Sequence, residues 1–208
     1  MTDAVVPRLP PRAALARRRV EAVVIGASAG GVEALLTLLG GLPASWRLPV
    51  VVVVHLPEHR ESLLARVFAQ RLDVRVLEAA DKAPVEPATV YFAPSSYHLS
   101  IERERFFSLS CEPPVLWSRP SIDVLMESAA DAYGGALAGF LLTGANQDGA
   151  EGLLRIHQAG GFTAVQDPAD AEVDTMPRAA LGRHAPDAVL PLRGLRDLLV
   201  QLDPFHAD

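Results

Sequence analysis

The 208-residue chain has one cysteine, Cys111, which excludes an intramolecular disulfide and cannot by itself build a cysteine zinc site. Such sparing use of cysteine fits a reducing cytoplasm, where the chain is expected to reside. Long hydrophobic runs are also missing. The longest, from Leu48 to Val54, has seven residues, whereas a membrane-spanning helix needs about 20, so no membrane insertion is expected. Residues 1–20 carry arginines and prolines but no apolar segment of the length that a secretory signal requires. Basic charge is scarce outside that stretch. The formal charge is −6; residues 1–20 hold five arginines against one aspartate, or +4, which leaves −10 for residues 21–208. An acidic body argues against DNA or RNA as the main partner, because phosphate binding needs a basic surface. No H-E-x-x-H motif, clustered His/Asp spacing, internal repeat or low-complexity tract beyond the first residues occurs.

What remains is a chain long enough for one α/β domain with a full core and too short for two comfortable ones. Residues 1–20, with Pro7, Pro10, Pro11 and Arg17-Arg18-Arg19, read as a flexible arm, and residues 21–208 as the domain. From Glu21 onward, short β-branched runs alternate with helix-length segments. Strands are predicted at Ala22–Ile25, Pro49–Val54, Val74–Glu78, Ala136–Thr143, Thr163–Val165 and Ala188–Leu190. Helices are predicted at Val32–Leu39, Glu61–Leu72, from a Ser121 cap to Tyr133, and at Ala150–Ala159, Pro177–Leu181 and Leu192–Leu202. This alternation predicts a doubly wound, mostly parallel sheet in a Rossmann-like three-layer α/β fold. Between Val85 and Leu109 the pattern changes to short segments (Val90–Ala93, His98–Ile101, Phe106–Leu109), which read as inserted antiparallel hairpins.

Three polar residues stand at predicted strand ends. Ser28 lies in Gly26-Ala27-Ser28-Ala29-Gly30, a G-x-S-x-G turn between the first strand and its helix; His55 follows the valine-rich second strand; Asp148 lies in the loop after the 136–143 strand. Sites in open parallel sheets form beyond the carboxyl ends of the strands. Hydroxyl, imidazole and carboxylate are the three groups that acyl transfer needs: nucleophile, base then acid, and orienting anion. Each also has a purely structural reading, Ser28 and Asp148 as helix caps and His55 as a partner of a backbone carbonyl. The order Ser, His, Asp differs from the Ser, Asp/Glu, His of α/β-hydrolases. Two other classes compete. A nucleotide-binding Rossmann domain could use Gly26, Gly30 and Gly31, but Ser28 stands where the dinucleotide fingerprint wants glycine and His55 where it wants an acid. A binding module could keep the fold without chemistry.

The segment Val24-Ile25-Gly26-Ala27-Ser28-Ala29-Gly30-Gly31-Val32-Glu33-Ala34-Leu35 resembles the I-G-A-S-T-G-G-x-x-A-L nucleophile segment of the chemotaxis receptor methylesterase family (CheB type). Val54-His55-Leu56-Pro57 is similar to its Q-H-M-P segment and Leu142-Thr143-Gly144-Ala145-Asn146-Gln147-Asp148-Gly149-Ala150 to L-T-G-M-G-x-D-G-A. Val90-Tyr91-Phe92-Ala93-Pro94, Arg119-Pro120-Ser121-Ile122-Asp123-Val124-Leu125 and Met176-Pro177-Arg178 resemble Y-I-A-P, R-P-S-V-D-x-L and M-P-R. With six matches in the right order, the resemblance covers nearly everything from residue 22 to about 202. The resemblance implies a protein-glutamate methylesterase that hydrolyses glutamate γ-methyl esters on a methylated, helical chemoreceptor-like protein, with deamidation of glutamines as an accompanying activity. Ser28, His55 and Asp148 fall on the family's catalytic residues, and the backbone N–H groups of Ala29 and Ala145 on its oxyanion hole. It implies no cofactor and no metal. Ala29 departs from the usual threonine and Ala145-Asn146 from Met-Gly; at 146, asparagine is expected to tolerate left-handed backbone angles. With about 20 residues before the first strand, no receiver domain fits there, so constitutive action or a regulator acting in trans is expected. Arginines such as Arg119 or Arg178 are expected near the cleft rim.

Overall fold

The structure is a computed structural model that describes residues 18–55 and 63–203. Residues 1–17, Leu56-Pro57 and the predicted start of the second helix at Glu61 lie outside the described residues. The strands are Ala22–Ala27 (β1), Val50–Val54 (β2), Arg75–Glu78 (β3), Thr89–Phe92 (β4), His98–Ile101 (β5), Phe107–Ser110 (β6), Leu137–Leu141 (β7), Phe162–Gln166 (β8) and Ala188–Leu190 (β9). The α-helices are Gly31–Leu39 (α1), Leu64–Ala69 (α2), Ile122–Tyr133 (α3), Ala150–Gln158 (α4), Thr175–Leu181 (α5) and Leu192–Leu202 (α6).

Seven strands form one sheet in the order β3-β4-β2-β1-β7-β8-β9, and every neighbouring pair runs parallel. The doubly wound fold follows from side-chain alternation along buried strands. In β1, Val23, Ile25 and Ala27 face one core with Leu35, Leu38 and Leu39 of α1 and Leu195, Leu198 and Leu199 of α6. Ala22 and Val24 face the opposite core with Ile122, Leu125 and Met126 of α3, Leu153 and Ile156 of α4, and Met176 of α5. The five valines of β2 are buried along their whole length because both sides of the strand are covered. From β1 the chain adds β2 beside it, then the outermost β3 and β4 between them on one side, and β7, β8 and β9 in turn on the other. The switch point of the sheet is therefore at β1 and β7, and their carboxyl ends open the crevice where doubly wound folds place their sites.

Two expectations need correction. Thr89–Phe92 is not part of a hairpin: β4 enters the main sheet between β3 and β2, with Val50 opposite Val90 and Val52 opposite Phe92. All four residues are buried, and a strand covered on both faces gains more apolar burial inside the sheet than in a surface hairpin. Among the described strands β5 and β6 are the pair that runs antiparallel, from His98–Ser110 to Ile101–Phe107, and this hairpin packs on α3 through Leu99, Ile101 and Phe107. The last residues of the expected arm also pack on the domain. Val20 is buried in the core, and Arg18 pairs with Asp187 at 2.8 Å and covers the ring of Phe162.

Candidate active site

Ser28, His55 and Asp148 sit at the ends of three adjacent strands, β1, β2 and β7, and their side chains meet. The sheet ladder continues past the strands to hold them. The Ser28 N–H donates to the Thr143 carbonyl at 2.9 Å, and the His55 N–H donates to the Ala27 carbonyl at 3.2 Å. Ser28 is half-buried, the His55 side chain is 11% exposed and Asp148 is fully buried. His55 Nε2 lies 2.7 Å from Asp148 Oδ2, and His55 Nδ1 lies 3.2 Å from Ser28 Oγ. The carboxylate can only accept, so Nε2 carries the proton and Nδ1 presents its lone pair to the serine hydroxyl. A hydroxyl so placed can pass its proton to the imidazole as its oxygen attacks, and the carboxylate stabilises the resulting imidazolium.

Asp148 is held by more than the histidine. Its Oδ1 accepts from Ser121 Oγ at 2.8 Å and from the Asp123 N–H at 3.0 Å, and its Oδ2 accepts from the Ile122 N–H at 2.7 Å as well as from His55. Asp148 therefore caps α3, not the helix that follows it in sequence. The reciprocal cap comes from Asp123 in the first turn of α3, whose Oδ1 accepts from the N–H groups of Gly149 and Gly152 at 2.9 and 2.7 Å, at the start of α4. Each carboxylate thus satisfies the orphan N–H groups of the other's helix. Two glycines permit the approach, since a Cβ at Gly26 would lie 2.3 Å, and one at Gly149 2.7 Å, from Cγ2 of Ile122.

This junction sets the two acids apart electrostatically. Burial pushes Asp148 up, but the hydrogen bonds from His55 and from the Asp123 and Ile122 N–H groups outweigh it and hold the carboxyl below its usual value. Asp123 is pushed up to about 7, chiefly by burial and further by the neighbouring Asp148 charge, against the opposing N–H of Gly152. As the pH falls, Asp123 therefore takes up a proton before Asp148 does, and Asp148 stays ionised toward His55. Asp123 and the Ser121–Asp148 bond were missed in the sequence. Arg119-Pro120-Ser121-Ile122-Asp123 marked a helix start, but nothing in it showed that the cap reaches across to residue 148.

The two expected oxyanion donors are less constrained. Among the described residues, neither the Ala29 nor the Ala145 N–H meets an acceptor. The Ser28 carbonyl accepts from the Gly31 N–H at 2.8 Å, and because a trans peptide sets its N–H opposite its carbonyl, the Ala29 N–H points away from α1. Thr143 Oγ1 lies 2.9 Å from the Ala29 carbonyl and 3.2 Å from that of Val173, tying the two loops together. Asn146 does not use the left-handed angle expected of it. Instead its side chain bridges, with Oδ1 accepting from the Asp148 N–H at 3.2 Å and Nδ2 donating to the Leu116 carbonyl at 3.4 Å.

The Leu116 contact joins the site to a turn at Val115–Ser118, where the Ser118 hydroxyl lies 3.3 Å from His55 Nδ1. His98, the first residue of β5, is buried beside this segment. Its Nδ1 accepts from the Ser121 N–H at 3.2 Å, and its Nε2 donates to the Pro113 carbonyl at 3.1 Å. It is a strut between residue 113 and the start of α3. The two arginines expected at the rim are engaged within the chain, Arg119 with the Cys111 and Glu112 carbonyls and Arg178 with Asp174. Among the described residues, no helix is long and apolar enough to cross a membrane.

Comparison with known proteins agrees with this architecture. The sequence model of the CheB methylesterase family matches residues 23–199. A Leptospira interrogans protein provisionally named protein-glutamate methylesterase/protein-glutamine glutaminase is 43% identical over 183 residues, covering 88% of this chain and 95% of its own length. Protein-glutamate methylesterase/protein-glutamine glutaminase 2 of Anaeromyxobacter dehalogenans is 47% identical over 195 residues, and there the match covers 91% of this chain and 55% of the relative. Among solved structures, the catalytic domain of the Thermotoga maritima CheB methylesterase superposes with a TM-score of 0.83 at 31% identity, covering 88% of this chain and 98% of that one. The chain belongs to the CheB methylesterase family.

Proposed function

We propose that the chain hydrolyses γ-methyl esters of glutamate on a methylated chemoreceptor-like protein through an acyl-enzyme on Ser28. His55 Nδ1 takes the Ser28 proton as Oγ attacks the ester carbonyl carbon. The developing oxyanion is held by the Ala29 and Ala145 N–H groups, worth on the order of 3 kcal/mol for each donor aimed at the charge. The imidazolium then gives its proton to the departing methoxide, which leaves as methanol. Water, deprotonated by His55, cleaves the glutamyl ester of Ser28 and restores the free carboxylate and the serine. Glutamine undergoes the same steps with ammonia as the leaving group, which is the second activity in the relatives' shared name.

The observation that carries this reading is the unbroken chain of hydrogen bonds from Ser28 Oγ through His55 to the buried, fully bonded Asp148. The test is methanol release from a methylated chemoreceptor fragment by the wild-type protein and by Ser28→Ala. The variant is expected to lose essentially all turnover. Equal rates would exclude Ser28 as nucleophile, and no release by either protein would favour a binding module on the same fold.

A further inference from the structure

Beyond the catalytic residues, the surface at the mouth of the site has an unusual construction. Residues 115–118 close a tight turn in which the Val115 N–H donates to the Ser118 carbonyl at 3.1 Å and the Ser118 N–H to the Val115 carbonyl at 2.8 Å. Its two central residues, Leu116 and Trp117, have φ of 47° and 66°. A two-residue turn with both φ positive is the type that favours Asn-Gly, and bulky side chains there cost on the order of 1–2 kcal/mol each. Trp117 is nevertheless 97% exposed. Among the described residues nothing covers the indole, and a bare tryptophan at a strained turn position points to a role at the surface.

The position of the turn says which surface. Ser118, the residue after Trp117, places its hydroxyl 3.3 Å from His55 Nδ1, the same nitrogen that faces Ser28. The Leu116 carbonyl accepts from Asn146 in the loop that also carries Ala145 and Asp148. Consecutive Cα atoms are about 3.8 Å apart, so the backbone of Trp117 lies at the edge of the catalytic mouth and its exposed side chain is free to meet what docks there. A glutamyl ester side chain is short and Ser28 is half-buried. A protein delivering that ester must therefore bring its own surface against the rim, whereas a small free ester need not.

We propose that the 115–118 turn is the substrate-contacting lip of this site, and that Trp117 lies against the surface of the esterified protein beside the modified glutamate. The proposal rests on the esterase reading above. A tryptophan brings 150–250 Å² of largely apolar area with little side-chain freedom to lose, the usual profile of a residue that dominates a contact. Leu116 and Val115, each partly exposed in the same turn, add to the apolar surface. The exposed Ala145 lies on the loop that Asn146 ties to the turn.

The test compares wild type, Trp117→Ala and the double variant Leu116→Asn/Trp117→Gly, which suits the turn and removes only the indole and the leucine. Methanol release from a methylated chemoreceptor fragment is measured against its concentration, and Ser28 labelling by a small fluorophosphonate reports the Ser28–His55 pair independently. Both variants are expected to raise KM for the receptor fragment about ten-fold or more with kcat retained, and to label at the wild-type rate. A wild type that releases methanol with both variants matching its KM would overturn the role of the turn alone, as would labelling that falls in parallel with turnover. A wild-type dimer dissociated by Trp117→Ala, with receptor KM unchanged, would assign the indole to self-association instead. A wild type that releases no methanol would overturn the esterase reading and this one together.

Discussion

The two ring nitrogens of His55 face two differently built regions. On the Nε2 side, Asp148 is fully buried and accepts four hydrogen bonds, one each from His55, Ser121, Ile122 and Asp123. On the Nδ1 side, the hydroxyls of Ser28 and Ser118 share one lone pair, and the residue before Ser118 is an exposed tryptophan in a strained turn. The first region is over-determined by cross-capped helices and the second is held by few contacts. The difference separates two requirements. An orienting carboxylate must not move, because a wrong tautomer disables the base, while a surface that meets a protein substrate has to stay open to it.

The comparison can be broken most severely at Asp148. Asp148→Asn removes the charge that holds the Nε2 proton, and kcat for methanol release is expected to fall by about ten thousand-fold. A loss below ten-fold in steady-state kinetics would mean that Asp148 is only a helix cap.

The pairing of Asp148 with Asp123 predicts a pH dependence of stability. Asp123 is raised from 3.8 to about 7 in the fold, so the folded state holds a proton that the unfolded state releases. Its contribution is fully present below about pH 4 and is lost as pH rises through about 7. Asp123→Asn keeps an acceptor for the Gly149 and Gly152 N–H groups without the charge. Its Tm is expected to exceed that of the wild type by several degrees at pH 8, with the gap closing toward pH 4 in thermal melts. Parallel melting curves at every pH would show that Asp123 does not titrate in this range.

The smallest effect is expected on the open side. Leu116→Asn/Trp117→Gly relieves two strained φ angles on the surface and should raise stability by about 1 kcal/mol in urea unfolding. A loss of stability would mean that the turn packs on the body and is not an open lip.

Much of this was legible in the chain because it depends on local pattern. The valine run at 50–54 read as a doubly covered strand, the leucine spacing placed α6 at Leu192–Leu202 as observed, and Ser28, His55 and Asp148 were each recognisable at a strand end. The reading failed where partners are distant. Thr89–Phe92 has the length and alternation of a hairpin strand, and only the vacant place beside β2 turned it into an interior one. Asn146 was judged by its backbone, whereas its side chain joins the Asp148 and Leu116 loops.

The sequence by itself determined the alternation of strands and helices, the parallel sheet and the identity of the three polar residues at its edge, since period and strand-end position are properties of neighbouring residues. Only the tertiary structure decided which helix Asp148 caps, that Asp123 caps the other in return, and that the turn carrying the exposed Trp117 reaches His55 through Ser118. Hydrogen bonds between residues 123 and 149, or 55 and 118, leave no trace in local pattern. They arise when packing around Gly26 and Gly149 brings two helix N-termini to the same strand ends.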